Sequence, residues 1–282
     1  MSSTDTSEAG SSRFADAGGV KIHYNEMGSG KPLILIHGGG PGASGWANFS
    51  RNMEPLSKHF RAICVDLPGF GKSDMKPVGS PMPGFYAETM GKFLDTLGIE
   101  KAYFIGNSLG GMTTLKLALT RPEKVERMVL MGTGGSLPVF TPWPTEGIKA
   151  IFSYYEGTGP SLDKLRAFAQ QFVYDPSQLT DELLQKRLEA SLDPRIMANP
   201  PMRMTPGTAL EELWRDPGLM KLTQETLLLW GREDRVLPLD SAFALLKQIP
   251  RARLLVMPQC GHWAQWEHAD EFNATVTQFF GG

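Results

Sequence analysis

Short apolar runs bounded by turn residues recur along the chain, and most are followed by a stretch with helical apolar spacing. Residues 32–36 (PLILI), 62–66, 103–106, 125–131, 226–230 and 253–257 have the length and the Ile/Leu/Val content of strands buried on both faces. Residues 20–26 instead alternate apolar and polar positions, which predicts a half-exposed strand, with His23 on it as a surface or packing histidine. Helical spacing predicts helices near 48–56, over 82–97 with Phe85, Met90, Phe93, Leu94 and Leu97 inward and Gly98 closing it, over 112–119 before Pro122, over 241–249, and from Ala269 to Phe280. Regular alternation of this kind predicts an α/β fold with a mainly parallel, doubly wound sheet and right-handed crossovers.

The alternation stops after Gly132. From 137 to 222 no buried-strand run appears; Pro138, Pro142 and Pro144 lead into amphipathic helices near 147–156, 162–172, 181–191 and 208–214. This segment enters and leaves where strand ends carry loops, so it is expected to be a helical lid whose aromatics (Phe140, Trp143, Phe152, Tyr154, Phe172, Trp214) either line a pocket or form the lid's own core. Residues 1–13 are rich in Ser, Thr, Gly and Ala and read as a disordered tail. The expected organisation is a core of 14–136 and 223–282 with a lid of 137–222.

Composition narrows the function by exclusion. The 282 residues suffice for one large α/β domain, and 28 basic against 30 acidic residues, spread without blocks, disfavour a nucleic-acid surface. Cys64 and Cys260 lack metal-ligand spacing and read as ordinary thiols in a reducing compartment. No apolar stretch reaches the roughly 20 residues needed to cross a bilayer, and the N-terminus lacks a leader pattern, so the expectation is a cytoplasmic protein without membrane contact.

The chemistry is concentrated in three places. Gly106-Asn107-Ser108-Leu109-Gly110 has the G-x-S-x-G pattern between a strand and a helix, in which small flanking residues permit a sharp turn that lifts a serine hydroxyl clear of the sheet. Ser108 is the candidate nucleophile. His37-Gly38-Gly39-Gly40-Pro41-Gly42, directly after a buried strand, suits the loop that gives the second N–H of an oxyanion hole, so the donors are assigned to Gly39 and Leu109. A phosphate-binding loop fits less well, since the P-loop Lys-Ser/Thr is missing. His37 is expected to hold this loop, and Asn48 either reaches the site or caps a helix. Late in the chain, Gly231-Arg232-Glu233-Asp234 and Cys260-Gly261-His262 each follow a strand. Asp234, with Glu233 as fallback, and His262 rather than His268 complete a triad in the order Ser, acid, His, which is that of α/β-hydrolases. Asp240 is expected to cap the helix that follows. No metal or organic cofactor is required by this set.

These motifs, together with Gly45-Trp46-Ala47-Asn48 and the block from Cys260 to Glu267, closely resemble the meta-cleavage product hydrolases, α/β-hydrolases of aromatic-compound degradation. The resemblance implies hydrolysis of a carbon–carbon bond in 2-hydroxy-6-oxo-hexa-2,4-dienoates. The dienol is ketonised, the serine attacks the C6 ketone, and 2-hydroxypentadienoate and a carboxylic acid leave. It also implies that Arg187 binds the substrate carboxylate, that Asn48, Asn107 and Trp263 contact the dienoate, and that Phe172 lies near the C6 pocket. The C6 substituent is expected to be aryl or branched alkyl, and a homo-oligomer, dimer or larger, is expected from the resemblance. Two other functions remain open on sequence: an ester or lactone hydrolase with the same triad, and a non-catalytic ligand-binding scaffold.

Overall fold

Pro32–Ile36 lies deep in an eight-stranded sheet because every one of its neighbours is an equally apolar strand. In the computed structural model, which describes residues 6–76, 81–202 and 212–281, the strands are β1 (Ser12–Asp16), β2 (Lys21–Met27), β3 (Pro32–Ile36), β4 (Arg61–Val65), β5 (Ala102–Asn107), β6 (Val125–Met131), β7 (Glu225–Gly231) and β8 (Ala252–Met257). Their spatial order is β1-β2-β4-β3-β5-β6-β7-β8. All pairings from β4 to β8 are parallel, and β2 runs antiparallel to both neighbours.

The helices are α1 (Glu8–Ser11), α2 (Gly45–Ser57), α3 (Met82–Thr96), α4 (Leu109–Thr120), α5 (Glu146–Ser153), α6 (Leu162–Phe172), α7 (Asp181–Ser191), α8 (Pro194–Ala198), α9 (Ser241–Gln248), α10 (Ala264–Glu267) and α11 (Ala269–Phe280), and those outside 132–224 cover both faces of the sheet. Because side chains alternate along a strand, Leu33 and Leu35 pack with Phe49 and Met53 of α2 and Phe272 and Val276 of α11. Ile34 and Ile36 pack on the other face with Phe93 of α3 and Leu115 of α4. Each such side chain, removed from water, contributes about 1.5–3 kcal/mol. The doubly wound α/β architecture expected from the sequence is therefore the one observed.

Three expectations are corrected. The tail reading reaches too far: Glu8–Ser11 is a helical turn and Ser12–Asp16 is a strand paired with β2, while residues 1–5 lie outside the described residues. What holds this segment is polar, with Asn25 donating to the Glu8 carbonyl and to Ser11 Oγ, so no hydrophobic pattern announces it. With β1 at the edge, β2 becomes an interior strand buried on both faces, and His23 is buried within it. Finally, Asp240 does not cap α9. Its backbone is already helical (φ −67°, ψ −15°), where a capping residue needs extended angles. Its carboxylate accepts instead from the Phe140 and Thr141 amides and the Thr141 hydroxyl, and so anchors the segment entering the lid.

Between β6 and β7 the described residues form helices α5 to α8 and short 3₁₀ turns, with no strand. The helices at 162–172 and 181–191 fall where the spacing put them. Of the helix expected at 208–214, only the turn Leu213–Arg215 is described, and the remainder lies outside the described residues. Ile151, Tyr154, Leu165, Phe168, Phe172 and Leu184 join the cluster formed by Ile34, Phe93 and Leu115, so the lid packs onto the core over the C-terminal strand ends.

Candidate active site

Ser108 sits between β5 and α4 with φ +52° and ψ −108°, a conformation that costs a non-glycine residue of the order of 1–3 kcal/mol. The turn closes only because its flanks are bare. A β-carbon on Gly106 would lie 2.4 Å from the Gly110 carbonyl oxygen, and one on Gly110 would lie 2.0 Å from that of Ile36. The bend is fixed by hydrogen bonds from the Ser108 amide to the Met131 carbonyl (2.9 Å) and from the Met112 and Gly134 amides to the Ser108 carbonyl (3.0 Å each). Leu109 opens α4, where first-turn N–H groups have no intrahelical acceptor.

The strand ends bring the acid and the histidine to the same place. His262 Nδ1 meets Asp234 Oδ2 at 2.7 Å, with the residues 1% and 6% exposed. Asp234 Oδ1 accepts the Val236 and Leu237 amides at 2.8 and 2.9 Å, so the carboxylate is held rigidly with both oxygens used. Nε2 of His262 is buried and has no hydrogen-bond partner among the described residues. Asn107, beside Ser108, donates from Nδ2 to the His262 and Met131 carbonyls at 3.3 Å, and the next residue, Gly132, abuts both the His262 ring and the Asp234 carboxylate. Glu233 is turned elsewhere, toward Arg232 and the Cys260 amide, and His268 bonds the Gln259 carbonyl at the end of α10.

The glycine-rich loop lies against the elbow: a β-carbon on Gly38 would be 3.2 Å from that of Ser108. Asn48 is buried beside Asn107, with Nδ2 3.5 Å from its Oδ1, and Ser44 rather than Asn48 caps α2. His37 holds the loop as expected, donating from Nδ1 to the Gly38 carbonyl and accepting the Leu67 amide at Nε2. Burial lowers its pKa and favours the neutral ring that this pairing needs. Behind the loop, buried Asp66 accepts from the Gly45 and Lys72 amides and pairs with His23 Nδ1 at 2.8 Å, while His23 Nε2 meets Ser12 Oγ. Burial alone raises the Asp66 pKa, but the His23 hydrogen bond, electrostatic help from the neighbouring His37 imidazole and the Lys72 amide outweigh it and hold the carboxyl below the usual 3.8. Asp66→Asn is expected to reduce unfolding free energy by about 3 kcal/mol in urea titrations at pH 7. A depressed carboxylate stabilises above its unfolded pKa and loses that contribution as pH falls, so the gap to wild type should narrow at pH 3.

Arg187, on α7, is 5% exposed and, among the described residues, has no carboxylate partner and no hydrogen bond at Nε. Its guanidinium lies 4.7 Å from the centre of the Trp263 ring. Burial pushes its pKa down to about 10, so it stays charged at neutral pH. Phe172 packs edge-on against His262 at 5.1 Å and at a tilt against Trp263 at 5.0 Å, which joins the cation to the His262–Asp234 pair through one aromatic contact. Two residues beside the site were not legible in the sequence. The Tyr155 hydroxyl is buried and without a hydrogen-bond partner among the described residues, and it interacts electrostatically with Arg187. Met202 packs over Gly39, its sulfur 3.1 Å from where a β-carbon would stand. A Tyr-Tyr pair ending an amphipathic helix was visible; its orientation was not.

On the far side of Ser108 an apolar cavity of about 110 Å³ opens under the lid, lined by Met112, Ile148, Ile151, Phe152, Trp214 and Leu237 among others. An apolar hollow, a serine at a strained turn with a buried His–Asp pair, and an isolated cation thus share one site. No group of His, Cys, Asp and Glu among the described residues has the arrangement of a metal centre.

This fold and site define a serine hydrolase of the α/β-hydrolase class, and the family model for the alpha/beta hydrolase fold matches residues 31–269. Similar proteins narrow the class. A 2-hydroxy-6-oxo-6-phenylhexa-2,4-dienoate hydrolase from Comamonas testosteroni is 42% identical over 98% of both chains. A 2-hydroxy-6-oxononadienedioate/2-hydroxy-6-oxononatrienedioate hydrolase from Pseudomonas putida is also 42% identical over 98% of both. The crystal structure of a meta-cleavage product hydrolase from Pseudomonas fluorescens IP01 superposes with a TM-score of 0.86 at 38% identity, covering 95% of this chain and 97% of that one. The chain belongs to the meta-cleavage product hydrolases.

Proposed function

We propose that the protein hydrolyses the C5–C6 bond of 2-hydroxy-6-oxo-hexa-2,4-dienoates, releasing 2-hydroxypentadienoate and a carboxylic acid. The observation that carries this reading is Arg187: a buried cation without a counter-charge among the described residues, one aromatic contact from the His262–Asp234 pair, is costly unless an anion arrives to pair with it. A dienoate carboxylate is such an anion, and the guanidinium fork suits it. A simple ester or lactone offers none.

With the carboxylate on Arg187 and the dienoate along Asn48, Asn107, Trp263 and Phe172, the keto form presents C6 to Ser108. His262 Nε2 takes the hydroxyl proton as Oγ bonds to C6, and Asp234 holds the ring and stabilises the imidazolium. The Gly39 and Leu109 amides receive the developing oxyanion. As the tetrahedral centre collapses, the C5–C6 electrons pass into the conjugated enolate. His262 returns the proton to that fragment, and water then attacks the acyl-serine to give the acid. The triad needs no cofactor. The reading includes a cytoplasmic homo-oligomer; no helix among the described residues is long and apolar enough to cross a membrane.

The C6 substituent of this reading is aryl or branched alkyl. The 110 Å³ hollow is of the order of the roughly 150 Å³ apolar cavity known to take up benzene in another protein. Among its described lining residues none is basic, and the only acid, Glu212, is paired with Arg215 at 2.5 Å. A nonadienedioate would carry a second carboxylate into this apolar space, which burial penalises. The expected result, from absorbance loss over a panel of ring-fission products, is a kcat/KM at least about 10-fold higher for phenyl or isopropyl at C6 than for the dioate, equivalent to about 1.4 kcal/mol. The opposite preference would transfer the protein to the dioate-specific group.

A further inference from the structure

The loop that carries His262 is bound to the lid, and one carboxylate makes the joint. After β8 the backbone runs against the segment leaving α6: the His262 amide donates to the Phe172 carbonyl at 2.7 Å, and the Phe172 ring stands edge-on to the imidazole. On either side of that bond lie two further amides, Gly261 of the histidine loop and Tyr174 of the lid exit. Glu267, at the end of α10, meets both. Its Oε1 accepts the Gly261 amide at 2.9 Å and its Oε2 the Tyr174 amide at 2.6 Å. The Glu267 amide in turn donates to the Trp263 carbonyl at 2.8 Å, so the carboxylate is tied back to the residue after the histidine.

We propose that Glu267 is a positioning residue for the proton transfer. Its two oxygens fasten the lid segment 172–174 to the histidine loop, so that the imidazole faces Ser108 only while the lid is seated. Removing the carboxylate leaves the part-buried Gly261 amide and the more exposed Tyr174 amide without this acceptor and frees the Phe172 contact that fixes the ring's outer face. Glutamine is the informative replacement. It keeps the size, but it has one acceptor oxygen, and its NH₂ must face one of the two N–H groups. Arg187, on α7, meets this joint through the Trp263 and Phe172 rings and not through the Glu267 carboxylate, so the loss should fall more on proton transfer than on substrate capture.

This inference rests on the dienoate reading, and the experiment keeps the two apart. Glu267→Gln is assayed with a 6-phenyl dienoate and with p-nitrophenyl acetate, and the His262 Nδ1 proton is followed by NMR. The expected result is a kcat lower by about 10–100-fold with both substrates, the range of a displaced general base. KM for the dienoate should stay within about threefold, and the Nδ1 resonance should broaden or shift. If the glutamine variant does not fold, Glu267→Asp, which keeps the charge and shortens the reach by one methylene, should show the same split. A kcat within about twofold of wild type in either folded variant, or an unmoved resonance, overturns the proposal. Failure of the wild type itself to consume the dienoate would instead overturn the substrate reading, and the ester rate and the resonance would still test the joint.

Discussion

Replacing Ser108 by alanine is expected to lower turnover of a 6-phenyl dienoate by about 10⁴-fold or more while leaving its affinity within about threefold of wild type. The substitution deletes the protein atom that bonds to C6. It leaves the Asp234–His262 pair, the Leu109 and Gly39 amides and the Arg187 cation in place, and alanine suffers no more than serine at φ +52°. The loss should therefore fall on kcat, because the removed interaction exists only in the transition state, whereas the carboxylate and the apolar substituent are held elsewhere. Stopped-flow absorbance reads the turnover, and a titration of the variant with dienoate reads the affinity. Turnover near wild type would remove Ser108 from the mechanism and favour the non-catalytic scaffold or a different nucleophile.

The second large effect is expected at Arg187, and it has opposite signs for function and stability. Arg187→Met should raise KM for dienoates by about 100-fold, the equivalent of nearly 3 kcal/mol for a lost charge-assisted pair, with a smaller change in kcat. The rate with p-nitrophenyl acetate should stay within about twofold. The same variant should be more stable than wild type, by about 1–3 kcal/mol, because an unpaired buried cation is replaced by an apolar chain of similar length among Trp263 and the lid aromatics. Lysine should restore less than half of the lost binding free energy, since a point charge cannot reproduce a two-pronged contact. An ester or lactone hydrolase would show neither the KM change nor the trade-off.

The sequence made some parts of this molecule plain because they rest on short-range rules. The strand runs at 32–36 and 227–230 are buried on both faces and are apolar throughout; the elbow needs glycine at 106 and 110 for steric reasons that any G-x-S-x-G displays. The order Ser108, Asp234, His262 is a property of the chain, and it survives folding. What was hidden depends on partners far away in sequence. The edge strand Ser12–Asp16 is held by polar contacts from Asn25, the side chain of Asp240 reaches back to Phe140 and Thr141, and Glu267 meets Tyr174 across 93 positions. Arg187 shows the boundary between the two. Beside Lys186 on an amphipathic helix it has the pattern of a solvated charge, and only packing against Trp263 buries it while Lys186 pairs with Glu182 in solvent.

The central claim is that one serine, beneath a lid that holds an acidic tail, opens a carbon–carbon bond. It is tested most directly by incubating the purified protein with 2-hydroxy-6-oxo-6-phenylhexa-2,4-dienoate in ¹⁸O-labelled water and analysing the products by mass spectrometry. The account predicts loss of the dienolate absorbance with one benzoate, carrying labelled oxygen, and one 2-hydroxypentadienoate formed per substrate consumed. Persistence of the dienoate alongside rapid hydrolysis of neutral esters would contradict it.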